Sequence, residues 1–276
     1  MPSNDFAIMT SIHWMAVIFY AFASIGNSWG IIFQKKKAEK IAWVFLTAGL
    51  IIHGGGILFW WNVVGHGPYL ARNEILSAMA WGTIVVFLVF NKTFPAIRPA
   101  SILVFPSAIL MIGLGIFFSP AIKTLPPTYR GIWLVMHVVF YIVSLATLVI
   151  ALALSLSFVL KKRTGYKWLA QLPDCATIDM SAYRFVGFGF VFWLIAMLAG
   201  SLWAYDSWGR FWGWDPTETW SLISLGLFGL YLHLRHFFGL MGEKAAVLFI
   251  LCFIVSLISL FFIPLLESSI HSVYFR

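Results

Sequence analysis

Apolar residues fall in eight long runs, separated by short polar breaks. The runs extend from about Phe6 to Phe33, Ile41 to Trp61, Glu74 to Phe90, Ala100 to Phe118, Gly131 to Leu160, Tyr183 to Tyr205, Pro216 to Phe238 and Ala245 to Leu266. A helix needs about 20 predominantly apolar residues to cross a bilayer. In lipid an open-ended apolar segment must satisfy its own backbone, so each run is predicted to be an α-helix. Glycines and prolines inside the runs (Gly54, Gly55, Gly56, Pro106, Gly187, Gly189) are tolerated there, and the small ones permit close helix packing. The pattern predicts an all-α integral membrane protein: one polytopic domain over residues 1–276, a bundle of about eight transmembrane helices.

The break between the sixth and seventh runs is unlike the others. From Trp203 to Trp220 it reads W-A-Y-D-S-W-G-R-F-W-G-W-D-P-T-E-T-W, five of the 14 tryptophans within 18 residues. It is too polar to cross a bilayer and too aromatic for an ordinary solvated loop. Indole rings suit the headgroup region, so the segment reads as an aromatic shelf at a membrane surface. At its simplest such a shelf is a belt that anchors two helices.

Composition agrees with the pattern and charge orients it. The chain is 61% hydrophobic and 10% charged, with mean hydropathy +0.92, against about 25% charged residues in a soluble domain. A net charge of +8 would suggest nucleic acid in a soluble protein; here no nucleic-acid partner is expected, because basic residues concentrate on the cytoplasmic side of membrane proteins. The loops after the odd-numbered runs hold most of the 18 lysines and arginines, as in Q-K-K-K-A-E-K and K-K-R-T-G-Y-K. Those loops are expected to be cytoplasmic, with the tryptophan shelf and both termini outside. The longest cytoplasmic connection, Tyr166 to Met180, carries no sign of a folded domain. No basic n-region precedes the first run, so no cleavable signal peptide is expected. Cys175 and Cys252 form no C-x-x-C or C-x-x-C-H pattern, which argues against covalently attached haem, a thioredoxin-like pair or a zinc site.

Seven histidines are candidates for chemistry, since polar groups within a bilayer are costly. His13, His53 and His66 are each accounted for by a single structural hydrogen bond, and His236, beside Arg235, by solvation at a helix end. His137 and His271 differ, because the topology places both near the outer surface beside the shelf. Two neutral imidazoles across a flat aromatic pocket suit an axially ligated haem; zinc would want further ligands. His233 lies 17 residues beyond Pro216, roughly 25 Å deeper at 1.5 Å per residue, and invites a partner ligand from another polypeptide. Asp215-Pro216-Thr217-Glu218 fits a helix start, with Asp as N-cap, Pro at N1 and Glu at N3. Arg210 is a candidate for a charge-assisted contact to a haem propionate, or for pairing with Asp206 or lipid phosphate.

The string W-G-R-F-W-G-W-D-P-T-E-T-W resembles the tryptophan-rich WWD signature of the haem-handling proteins of cytochrome c maturation, and most of all the CcsA (ResC) type of the system II cytochrome c synthase. H-G-P-Y-L-A-R-N-E at His66 to Glu74 and Y-L-H-L-R around His233 are similar to family stretches, and His137 and His271 occupy the places of its two external haem-ligand histidines. The resemblance covers most of the chain, weakly before residue 60. Asp206 stands where many relatives carry Asn or Glu, and S-S-I-H-S-V-Y-F keeps the His-Ser pair in a slightly different setting.

The resemblance implies a haem-handling subunit of a holocytochrome c synthase in the bacterial cytoplasmic membrane, with a thylakoid location as the other option. Haem b, held non-covalently, would be ligated on the inner side by His233 and a histidine of a CcsB (ResB)-type partner, and outside by His137 and His271. Trp203, Trp208, Trp212, Trp214 and Trp220 would pack on the macrocycle, with Arg210 and Asp215 in the same loop. Apocytochrome c would present its C-x-x-C-H thiols for thioether formation, without a catalytic acid or nucleophile from this chain. Three other classes remain: a CcmC-type haem-delivery protein, with about six spans as its relatives go; a membrane b-type cytochrome or quinone-linked oxidoreductase, which would want paired histidines at both levels; and a transporter that holds no haem.

Overall fold

The computed structural model describes residues 2–118 and 127–263, and within them every regular element is helical. The elements fall into two compact units, residues 1–125 and 126–276.

In the first unit α1 (Pro2–Ile32), α2 (Lys36–Val64), α3 (Arg72–Thr93) and α4 (Ser101–Ile116) pack together, with a 3₁₀ segment, Pro95–Ala100, leading into α4. Helix α1 shows what solvent this unit is built for. Its outward residues Trp14, Ile18, Phe22, Ile25 and Trp29 are exposed and apolar, while His13, Tyr20 and Asn27 are buried. Those outward positions recur every three or four residues, so a continuous greasy stripe faces away from the unit, as a hydrocarbon solvent requires. Helices α1 and α2 approach closely along glycines: a Cβ at Gly30 would lie 2.7 Å from Glu39, and one at Gly56 would lie 2.7 Å from Ile12. Polar clips close the end near Lys36: Asn27 Nδ2 donates to Ser101 Oγ at 2.9 Å, and the Arg98 guanidinium pairs with buried Glu39.

In the second unit α5 (Ile132–Arg163) and α6 (Cys175–Trp208) form a long antiparallel hairpin, to which α7 (Pro216–Phe237) and α8 (Gly242–Leu257) are added. Ser144 Oγ donates to Gly189 O at 2.8 Å, where the hairpin is tight enough that a Cβ at 189 would meet Leu148. The Tyr166–Met180 connection is shorter than its polarity suggests. It holds a 3₁₀ segment, Lys167–Gln171, and α6 then starts at Cys175, because Asp174 caps it by accepting from Thr177 N at 2.9 Å. Lys161 closes the turn, its ammonium donating to Leu172 O and Pro173 O. The eighth run continues past α8 as a π turn, Ile258–Phe262.

Among the described residues all eight runs are helical, and seven helical segments are long and apolar enough to cross a membrane; α7 is not among them. Its 22 residues would span about 33 Å, but Ser, Thr, Glu, Arg and His lower its hydropathy. Ser221, Ser224, Tyr231 and Arg235 are buried, whereas Leu222, Ile223, Leu230 and Phe237 face out. The polar side of α7 is turned into the protein, so its exposed side still suits lipid.

Candidate functional site

The shelf is built by two helix ends and a short loop. Helix α6 runs on to Trp208 and stops at Gly209, whose φ of 72° is left-handed and whose N–H bonds Tyr205 O. Trp203 is therefore a helical residue rather than part of an open shelf. It is 5% exposed, and its indole N–H donates to Thr128 O at 2.8 Å. Trp208 stands edge-on to it, ring centres 4.9 Å apart. Tyr205 and Phe211 stack in parallel at 4.3 Å and are both about half exposed.

Residues 209–215 then turn the chain into α7. Asp215 caps that helix, its carboxylate accepting from Thr217 N at 2.9 Å. Glu218 reaches back to accept from Gly213 N at 2.8 Å and Asp215 N at 3.3 Å, completing the capping box expected from the sequence. Held this way, the loop presents Trp214 70% exposed and in the left-handed region, at φ 57°. Trp212 lies edge-on to Trp214 at 5.9 Å, and its indole nitrogen is a buried donor without an acceptor among the described residues. Arg210 folds over Gly213 so closely that a Cβ there would lie 2.5 Å from its guanidinium carbon. No Arg210–Asp206 ion pair is found among the described residues. Trp220 sits on the second turn of α7, part-buried.

His137 approaches this region from α5. Its Nδ1 lies 2.9 Å from Ala196 O. A carbonyl can only accept, so Nδ1 carries the hydrogen, and in a neutral ring the lone pair then lies on Nε2. Tyr141 lies edge-on to the ring at 4.8 Å, Trp203 lies 6.5 Å from it, and Gly200 lies against its Nδ1 edge. Tyr141 and Ser221 share a hydrogen bond of 2.5 Å, and Trp193 Nε1 donates to the same Ser221 hydroxyl at 3.1 Å. One serine thus ties α5 and α6 to α7 beneath the shelf. Tyr141, Gly200 and Ser221 are absent from the sequence expectation. Tyr141 lies one helical turn after His137 and Gly200 three residues before Trp203, a spacing that is the only sequence trace of either role.

His233 lies far along α7. It is exposed and borders two exposed rings, Phe237 at 4.6 Å and Phe238 at 5.7 Å. Its helix is anchored by Arg235, whose buried guanidinium donates to Asp179 Oδ1 at 2.7 Å and lies over Tyr183 at 4.9 Å. Gly242 N bonds the same carboxylate. His236 is exposed, as expected for a helix-end residue. His271 lies outside the described residues, so the structure brings together His137, Trp203 and Trp208 and leaves His233 at another level. No cluster of three or more His, Cys, Asp or Glu able to hold a metal ion occurs among the described residues.

The family model described as "Cytochrome C assembly protein" matches residues 69–271, which include the shelf and His137, His233 and His271. The "Cytochrome c biogenesis protein CcsA" of Prochlorococcus marinus (strain MIT 9301) is 29% identical over 95% of this chain and 93% of its own length. The protein of that name in Synechococcus sp. (strain CC9605) is 26% identical over 99% of this chain and 98% of its own. That of Chlamydomonas reinhardtii is 33% identical over 78% of this chain, but only 63% of its own length is matched. The polytopic helical architecture, the WWD loop and the extent of these matches agree, and the chain belongs to the cytochrome c assembly protein family.

Proposed function

We propose that the chain is the haem-handling subunit of a system II cytochrome c synthase, with haem as its cargo. The observation that carries this is the bond of His137 Nδ1 to a carbonyl, which in a neutral ring puts the lone pair on Nε2, in a ring that lies beside Trp203 with Trp208 packed on it. That is the state an imidazole needs to bind iron. His271 supplies the second axial nitrogen in this reading, which rests on the family resemblance. Trp208, Trp212, Trp214 and Trp220 offer aromatic surface to the macrocycle, and Trp203 acts beneath them as a packed wall. Arg210 and the unpaired Trp212 indole N–H suit the carboxylates of haem. Asp215 and Glu218 keep the loop's shape through the cap.

His233, exposed with two phenylalanines beside it, forms half of an inner site whose second ligand is a histidine of a CcsB (ResB)-type partner subunit. At the outer site apocytochrome c presents C-x-x-C-H. Each thiol adds across a vinyl group, its sulfur bonding one carbon and its hydrogen going to the other. The protein's part is proximity and orientation, and the haem supplies the reactive group. The subunit then lies in the bacterial cytoplasmic or thylakoid membrane, with shelf and termini on the outer side.

The test is the absorption spectrum of the detergent-purified protein co-expressed with its partner, as wild type and as His137→Ala with His271→Ala. A reduced low-spin haem spectrum that weakens in the variant and returns with imidazole is expected. A colourless wild type, or an unchanged variant, would overturn the outer-site assignment.

A further inference from the structure

The first unit holds a polar cluster that the haem reading does not use. The Nε2 atoms of His13 on α1 and His53 on α2 converge on one hydroxyl, Ser77 Oγ of α3, at 3.0 and 2.8 Å. Tyr20 OH lies 3.1 Å from the other nitrogen of His53. All four side chains are buried, in a helical unit whose outer face is apolar.

Proton counting restricts this chain of groups. A serine hydroxyl has one hydrogen to donate, and each neutral imidazole has one N–H. If Ser77 donates to His53 Nε2, then His53 donates from Nδ1 to Tyr20 and His13 donates from Nε2 to Ser77. If Ser77 donates to His13 instead, every bond reverses, and Tyr20 donates to His53. The two histidines are therefore always opposite tautomers while both are neutral. One added proton fits either ring without breaking a hydrogen bond, because an imidazolium donates from both nitrogens.

The cluster also borders space for water. Two cavities of ≈ 10 Å³ flank it, and both are lined by Met9, His13, Asn73 and Ser77. That size holds about one water each. Asn73 is 4% exposed, and neither its amide oxygen nor its amide nitrogen has a partner among the described residues; a buried amide in that state calls for water. The second cavity is also lined by His66 and Glu74, at the α2–α3 connection. His66 Nδ1 bonds Gly67 O at 2.8 Å, which leaves the Nε2 lone pair as its proton acceptor, and Nδ1 lies 3.9 Å from Glu74. The Glu74 carboxylate accepts from Trp60 Nε1 and from the N–H groups of Leu70 and Ala71, which fix its place beside His66. Among the residues lining either cavity, α4 contributes only Ile112, Gly115 and Ile116 and no titratable group.

We propose that His66, a water held by Asn73, and the Ser77–His13–His53–Tyr20 chain form one proton relay, a binding site for an extra proton that exchanges with the α2–α3 end of the unit. In each transfer a proton taken up on His66 passes through the water to His13. His13 gives up its Nε2 proton to Ser77, whose own proton moves to His53, so one N–H forms for each that breaks and the imidazolium ends on His53. Glu74 stays beside His66 throughout.

The experiment is ¹⁵N NMR of the histidine-labelled full chain in lipid nanodiscs. In the wild type, His13 and His53 should show opposite tautomers, or mirrored populations if they exchange. The same tautomer in both would overturn the proposal without need of any variant. The side-chain N–H of His53 should exchange with solvent deuterium about tenfold more slowly in His66→Gln and in Asn73→Leu, roughly the effect of one lost hydrogen bond. Unchanged exchange in both variants, with spectra otherwise native, would also overturn it.

Discussion

Gly200 lies flat against the His137 imidazole: a Cβ at position 200 would stand 2.4 Å from His137 Nδ1. No side chain can occupy that space, so the bond from His137 to Ala196 O depends on a hydrogen at residue 200. Gly200→Ala should push the ring off its carbonyl and cost about 1–3 kcal/mol of stability through overpacking. Haem absorption should fall towards that of His137→Ala and recover with added imidazole. A thermal melt beside the spectrum separates ring displacement from general unfolding; a native spectrum would show that the ring does not need its carbonyl.

The capping box makes a different prediction. Asp215→Ala removes the acceptor for Thr217 N and should cost about 1 kcal/mol. Glu218→Gln keeps the shape of the side chain but weakens the tie to Gly213 N, and should loosen the loop more than the helix. Limited proteolysis after Arg210 should speed up in both variants, while the helical circular dichroism stays close to wild type.

Arg235 and Asp179 form a buried pair, their side chains 3% and 14% exposed. Removing one partner leaves a charge without compensation, so Arg235→Met or Asp179→Leu alone should cost about 3–5 kcal/mol. The double variant should recover much of that loss. Thermal unfolding in detergent would give the coupling, and additive losses would show that the pair does not act as a unit.

Asp174, outside the membrane spans, gives a pH prediction. The Thr177 hydroxyl, and then its backbone N–H, hold the Asp174 carboxyl below its ordinary value. A depressed folded pKa means that the cap stabilises the protein above the unfolded value of about 3.9 and loses that effect as pH falls through the folded value. Asp174→Ala should therefore melt below wild type at neutral pH, and the gap should close on acidification through the carboxylate range. A gap independent of pH would remove the carboxylate from the explanation.

Much of this was legible beforehand, for a reason that can be located. The eight helices follow from runs whose length the bilayer dictates, and the α7 start from Asp215, Pro216 and Glu218, which act within four consecutive residues. What the sequence hid depends on contacts between distant segments. Trp203 reads as part of a loop, yet α6 carries on through A-Y-D-S-W until Gly209 turns it. Gly200 looks like any small residue in a span until His137 is packed on it. His13 and His53 each read as a histidine satisfied by its own hydrogen bond; that they share one hydroxyl needs three helices to be placed at once.

Helix α7 joins the aromatic loop to His233 without an intervening hinge, and its cap fixes where its first residue begins. It therefore acts as a ruler, and the depth and bearing of His233 are set by counting residues. One residue added between Ser221 and His233 would lower the histidine by about 1.5 Å and swing it by about 100°. The ring and Phe237, which follows it by four residues on the same helix, would turn together away from their present side, while the loop above stayed unchanged. Its exposed positions, such as Leu222, Ile223 and Leu230, are open to substitution in a way that its residue count is not, so its length is itself part of the site.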